Sequence, residues 1–199
     1  MDSKRQQLME ELITFARQTI EKAENDPVYL ESEELSRRVT LAWHDGCPCL
    51  VSRLQCEGLS PAQYKKWTET YLDAVKRLAP PNVTYEGLPE DGGCKVVWQR
   101  IDPQVMFVSA RSLIVAAYGT KQGDEEIFVL STKGNEHLVE ANQDKLGQDV
   151  VADLIVNCMF FKPLLDSCGD ECGTEVTQVY SMNPKGSLPS IAVNFLIGK

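Results

Sequence analysis

Histidine is nearly missing from this chain: 199 residues contain two, His44 and His137, both in or beside predicted turns. The commonest general base and metal ligand is therefore scarce. There is also no Gly-x-Ser-x-Gly elbow, no Gly-x4-Gly-Lys loop and no Gly-x-Gly-x-x-Gly after a strand. Serine hydrolases, phosphate-loop enzymes and dinucleotide enzymes are thereby disfavoured. His44 and Cys47 are neighbouring turn residues, which rarely form a positioned dyad, and we expect a protein that is not an enzyme. Basic charge is short as well, with 20 Lys and Arg against 29 Asp and Glu and a formal net charge of -9. Such a surface does not neutralise phosphates, so nucleic acid is not an expected partner. No window approaches the roughly 20 apolar residues of a membrane span, and the N-terminus lacks an apolar core with a cleavage site. The expectation is a soluble, cytoplasmic protein.

Seven cysteines, at 47, 49, 56, 94, 158, 168 and 172, make an odd set. Reduced thiols that fill small core or loop positions are expected rather than a disulfide framework. Zinc knuckles use Cys-x2-Cys spacing, and neither Cys47-Pro48-Cys49 beside His44 nor Cys168-x3-Cys172 matches it. We expect no metal and no cofactor.

The length suits one domain, residues 1–199, large enough to bury a core or to wrap around a cavity. Leu8, Leu12, Phe15, Thr19 and Ala23 recur at helical spacing, predicting a helix over 3–24 that Asn25-Asp26-Pro27 stops. Segments 36–44 and 47–57 flank the Asp45-Gly46 turn and predict a hairpin. Ser60-Pro61 opens a second helix, 61–79, whose Tyr64, Trp67, Tyr71, Leu72, Val75 and Leu78 share a face. Strands follow at 82–87, 94–101, 112–120, 125–132, 149–161 and 174–182, and a last helix starts near 187. The short connections imply a curved antiparallel sheet.

Strand 174–182 runs into Asn183-Pro184-Lys185-Gly186-Ser187-Leu188-Pro189, a tight turn and a helix start. This close resembles that of START domains, the lipid-carrying helix-grip folds. Three further stretches are similar to the same family in order and spacing. Tyr64-Lys65-Lys66-Trp67 resembles its Trp-Asp helix, with Thr68 in place of Asp. Val96 to Ile101, a loop, and Val108 to Ile114 resemble its strand, Ω-loop and Pro-x-Ser-x-Arg-Asp-Phe segment, with Ala110 and Ser112 departing from the pattern. Val150 to Pro163 resembles its Lys-Pro strand end, carried by Phe161-Lys162-Pro163-Leu164.

The resemblance implies an α+β helix-grip fold, a curved antiparallel sheet around a C-terminal helix with an internal hydrophobic tunnel. It implies one bound lipid, a phospholipid, sterol or ceramide-like molecule, exchanged transiently at membranes by a monomer. The alternative is a lipid-sensing regulatory module that signals occupancy to a protein partner. Strand alternation places Leu113, Val115 and Ala117 on one face and Leu154, Val156 and Cys158 on one face, with Asp153 and Asn157 opposite. These are the expected pocket walls, or else an ordinary solid core. Trp98 and Arg100 are candidate headgroup contacts, with Tyr118 or Tyr180 completing an aromatic cage; otherwise Trp98 is a core residue and Arg100 reaches the surface. Arg111 is expected to brace the loop exit. Val105, Met106 and Phe107 form a membrane gate or fold inward over the cavity, and Leu188, Ile191 and Phe195, with Val193 and Leu196, face the lipid from the last helix. The family's last helix runs further than Lys199 allows, so the expectation is either a short lid or a last helix of which the given sequence holds only part.

Overall fold

The computed structural model describes residues 3–24, 28–32, 37–44, 47–66, 70, 82–104 and 108–186. Helix α1 (Ser3–Ala23) leads into strands β1 (Val28–Ser32), β2 (Arg37–His44) and β3 (Cys47–Glu57). The described turns of α2 cover residues 61–66. Strands β4 (Val83–Asp91), β5 (Cys94–Ile101), β6 (Arg111–Gln122) and β7 (Glu125–Ser131) follow. Two short helices, α3 (Glu136–Ala141) and α4 (Gln143–Leu146), precede β8 (Val150–Val151), β9 (Asp153–Leu165) and β10 (Glu171–Asn183).

The strands form one sheet in the order β1-β2-β3-β10-β9-β7-β6-β5-β4. Every neighbour on that path is antiparallel, and β8 adds a two-residue parallel pairing to β6. Most expected elements recur within two or three residues. Strand β1 falls between the predicted helix 3–24 and the predicted hairpin, where no strand is expected, and the predicted strand 149–161 is divided at Ala152. The Ala152 N–H bonds to the Ser112 carbonyl of β6 at 3.0 Å, while β9 pairs with β7 and β10. Helices α3 and α4 are six and four residues long, too short to leave a periodic signal.

Helix α1 covers one face of the sheet because its apolar stripe is continuous. Met9, Leu12, Ile13, Ala16 and Ala23 pack with Ala42, Cys49, Val51, Cys94, Ala116, Ile127, Val129, Val156, Cys158, Phe160 and Val179, all at most 5% exposed. Each larger side chain buried there contributes about 1.5–3 kcal/mol. The helix start is locked by Arg5, whose guanidinium pairs with Asp91 and donates to Asn135 Oδ1 at 2.8 Å. Asn135 in turn donates to the Ile114 carbonyl at 2.7 Å. Gly134, whose carbonyl also accepts from Arg5, stands at φ 76°, in the left-handed region that favours glycine.

Burial pushes the Cys158 thiol up, out of the nucleophilic range. At the other end of β10, Gly173 lets two strands approach: a Cβ there would meet Cys56 O at 2.3 Å and Glu57 Cα at 2.8 Å. Helix α2 docks on the β6–β7 end through Lys65, whose Nζ reaches Glu126 Oε2 at 2.8 Å and the Thr120 carbonyl at 3.3 Å. The Lys65 contact holds the Glu126 carboxyl below its ordinary value of 4.5.

Replacing Gly173 with alanine is expected to lower stability by about 1–3 kcal/mol, read as a lower urea midpoint at unchanged slope. Because the folded Glu126 pKa is depressed, its contribution is present above the unfolded value and is lost as pH falls through the folded one. Urea midpoints followed from about pH 6 to about pH 3 should therefore fall less steeply for Glu126→Gln than for the parent.

Candidate functional site

The sheet face turned away from α1 carries the second apolar cluster. Leu113, Val115 and Ala117 of β6 line it with Phe128 and Leu130 of β7, Leu154 and Phe161 of β9, and Val176 of β10. The expected shared face of Leu113, Val115 and Ala117 is present. Around them Leu54, Tyr64, Ile101, Met159, Tyr180 and Met182 are only partly buried. Tyr64 of α2 lies against Phe161 with ring centroids 5.4 Å apart. Burial first, and then the neighbouring Cys56, push the Tyr64 hydroxyl up to about 12.

Polar side chains interrupt this wall in pairs. Gln178 Nε2 donates to Asn157 Oδ1 at 2.8 Å, and Gln99 Nε2 donates to the Tyr85 hydroxyl at 3.1 Å. Tyr180 is directly opposite Asn157 across the β9–β10 ladder, and its hydroxyl donates to Met182 Sδ at 3.2 Å. Burial pushes that hydroxyl up to about 12, so it stays a neutral donor near pH 7.

Leu154, Val156 and Cys158 do not share a face. The register jumps between Ser181↔Val156 and Met182↔Leu154, which makes Ile155 a bulge residue. Leu154 joins the open wall, whereas Val156 and Cys158 enter the cluster beneath α1. Asn157, expected on the polar side, comes to the open face instead. An inserted residue inverts the alternation on one side of it. At the bulge the Ser131 hydroxyl donates to the Ile155 carbonyl at 2.8 Å, and the Leu154 carbonyl accepts from the Thr132 N–H at 2.9 Å.

For Trp98 and Arg100 the second of the two alternatives describes the structure: Trp98 packs on a core cluster and Arg100 is partly exposed. They lie on the α1 side of the sheet, where Val96, Ile114 and Leu146 form a third cluster, packed by Trp98, Leu138 and Val139. Trp98 Nε1 donates to Ser112 Oγ at 3.2 Å, Ser112 Oγ donates to Asp149 Oδ2 at 2.7 Å, and Arg100 Nε reaches the same oxygen at 2.9 Å. Asp149 holds the guanidinium more firmly charged than usual. Tyr118 packs on the α1 cluster, so Trp98, Tyr118 and Tyr180 are not brought together as a cage. Alternation on β5 turns the neighbours, Gln99 and Ile101, towards the open wall.

Arg111 has the bracing role expected of it. It is 3% exposed and donates to the carbonyls of Ser109, of Pro184 at 3.2 Å and of Lys185 at 3.2 Å. Burial lowers its pKa. The loop before β6 and the turn after β10 are thereby held together, with Gly186 at φ 68° completing the turn. Val105, Met106 and Phe107, and Leu188, Ile191 and Phe195, lie outside the described residues. Sequence reasoning missed Met159, Phe161, Val176 and Gln178 as wall residues. The alternation of Val176, Gln178 and Tyr180 was a usable signal for two of them. Among the described residues, no group of three His, Cys, Asp or Glu side chains is placed to hold a metal ion, and no helix is long and apolar enough to cross a membrane.

No family model matches the chain, and no curated protein matches it. Solved structures do match it. Human STARD10 superposes with a TM-score of 0.61 at 14% identity, over 90% of this chain and 71% of that one. The lipid transfer and protein localization domain of human StarD13 gives 0.59 at 12% identity, over 98% and 90%. A fragment, 25–204, of a STAR-related lipid transfer protein from Xanthomonas axonopodis gives 0.56 at 16% identity, over 86% and 89%. At these identities the likeness lies in the path of the backbone, and what it establishes is the fold: this chain has the α+β helix-grip architecture of START domains, with a large curved antiparallel sheet.

Proposed function

We propose that this protein binds one lipid against the open face of its sheet and carries it between membranes in the cytoplasm. One observation above all supports this: the sheet carries a second apolar wall on the face turned away from α1, where nine buried side chains are ringed by six partly accessible ones, among them Met159, Tyr180 and Met182 of the central strands. Sequestering an acyl chain or ring system there removes apolar surface from water at about 25 cal/mol per Å2. Two of the structural neighbours are named for lipid transfer, which favours the same function here.

The lipid wall in this proposal comprises Leu113, Val115, Ala117, Leu154 and Tyr180, joined by Met159, Phe161 and Met182. The chain works as one domain and as a monomer. Val105, Met106 and Phe107, together with Leu188, Ile191 and Phe195, remain its membrane gate and lid on sequence grounds. A net charge of -9 disfavours lasting attachment to anionic bilayers and suits brief contact. No chemical step is assigned.

Native mass spectrometry after incubation with mixed liposomes should show a one-to-one lipid adduct, and donor-to-acceptor vesicle assays should show transfer. Met159→Trp, which fills space at the wall, is expected to reduce retained lipid about tenfold while the protein stays folded. Val156→Arg places a charge in the sealed α1 cluster and should unfold the chain. A folded parent protein that retains no lipid from any vesicle would sink the proposal.

A further inference from the structure

We infer that the lipid carries an uncharged polar group that both donates and accepts hydrogen bonds, as a hydroxyl or amide does, and no phosphate; Asn157 and Gln178 receive it. The inference rests on the lipid-carrier function proposed above and narrows its cargo. The two amides occupy β9 and β10, the central pair of the sheet, on the open face. Leu130 and Tyr180 lie opposite Asn157, and Met159 lies opposite Gln178. They are polar groups set into an apolar wall.

Their own hydrogen bond uses one Gln178 N–H and one lone pair of Asn157 Oδ1. The Asn157 NH2 and the Gln178 carbonyl oxygen remain, one donor and one acceptor on a hydrogen-bonded pair. Exchanging O and N in both amides preserves that complement. Both residues are half-buried, which leaves part of each side chain accessible. Tyr180 adds a third participant, since its hydroxyl donates only to a thioether sulfur, a weak acceptor that a ligand oxygen would displace.

Charge argues against a phosphate at this place. Arg111 donates to three backbone carbonyls, Lys65 is engaged by Glu126 and the Thr120 carbonyl, and Arg100 faces the other side of the sheet with Asp149. A phosphodiester drawn onto Asn157 and Gln178 would lose its hydration with no cation from these three residues to replace it. A hydroxyl or amide loses far less and regains both bonds.

The test offers the protein phosphatidylcholine vesicles carrying equal minor fractions of phosphatidylserine, ceramide, diacylglycerol and cholesterol, and identifies retained lipid by native mass spectrometry. Retention concentrated in the three phosphate-free lipids is expected, and which of them dominates identifies the headgroup. Gln178→Met and Asn157→Leu should each lower that retention about tenfold, the equivalent of one lost hydrogen bond, with unchanged circular dichroism. Should Asn157→Leu fail to fold, the volume-conserving Gln178→Met carries the test. Preferential retention of either phospholipid, or variants that hold phosphate-free lipid as well as the parent, would overturn the inference and leave the carrier function standing. A parent protein that stays empty would remove the carrier function, and this inference with it.

Discussion

The antiparallel pairing of β9 with β10, thirteen residues on each side, is the interaction on which the rest of the molecule depends. These strands sit at the middle of the sheet, and their register decides which side chains reach α1 and which reach the open wall. The bulge at Ile155 is the critical detail. It sends Val156, Cys158 and Phe160 under α1 while Asn157, Met159 and Phe161 face the other way. A sheet has two faces, and the proposed binding wall on one requires that the other supply enough buried surface to hold the fold.

That requirement explains the weight of interactions on the α1 side. Arg5, Asp91 and Asn135 tie the helix start to the β4–β5 hairpin and the turn before α3. Trp98, Ser112, Asp149 and Arg100 join β5, β6 and the segment before β8 in one hydrogen-bonded chain. Satisfied networks of this kind are rigid, because breaking any member leaves a half-buried polar group without its partner. The polar contacts at the centre of the open wall, in contrast, are weak or replaceable: a thioether acceptor for Tyr180, and one amide pair. Rigidity on one side and exchangeable contacts on the other suit the proposed carrier, which must release its ligand intact.

Arg111 connects the two halves of this arrangement. A guanidinium that satisfies three carbonyls clamps the turn after β10 to the start of β6, so the chain leaves the sheet at a fixed place. The sequence signals for this turn, Asn183-Pro184 and Lys185-Gly186, supply backbone conformations, and Lys185 at φ 48° and Gly186 at φ 68° adopt the left-handed region there.

Read alone, the sequence determined the order of the longer described elements, the antiparallel character of the sheet and the face shared by Leu113, Val115 and Ala117. Each follows from local causes: helical spacing in α1, turn residues between strands, and strict alternation on β6. It also carried the family resemblance that the backbone comparisons bear out as a fold. Only the tertiary structure decided where the alternation of β9 is interrupted, because a bulge is set by the partner strand's register and by the Ser131 hydroxyl that satisfies it. The same holds for Trp98 and Arg100: period-two patterning says that they share a face, but which face depends on what packs there. Residues 138, 139 and 146, distant in sequence, claimed Trp98 for the α1 side and left Gln99 to the wall.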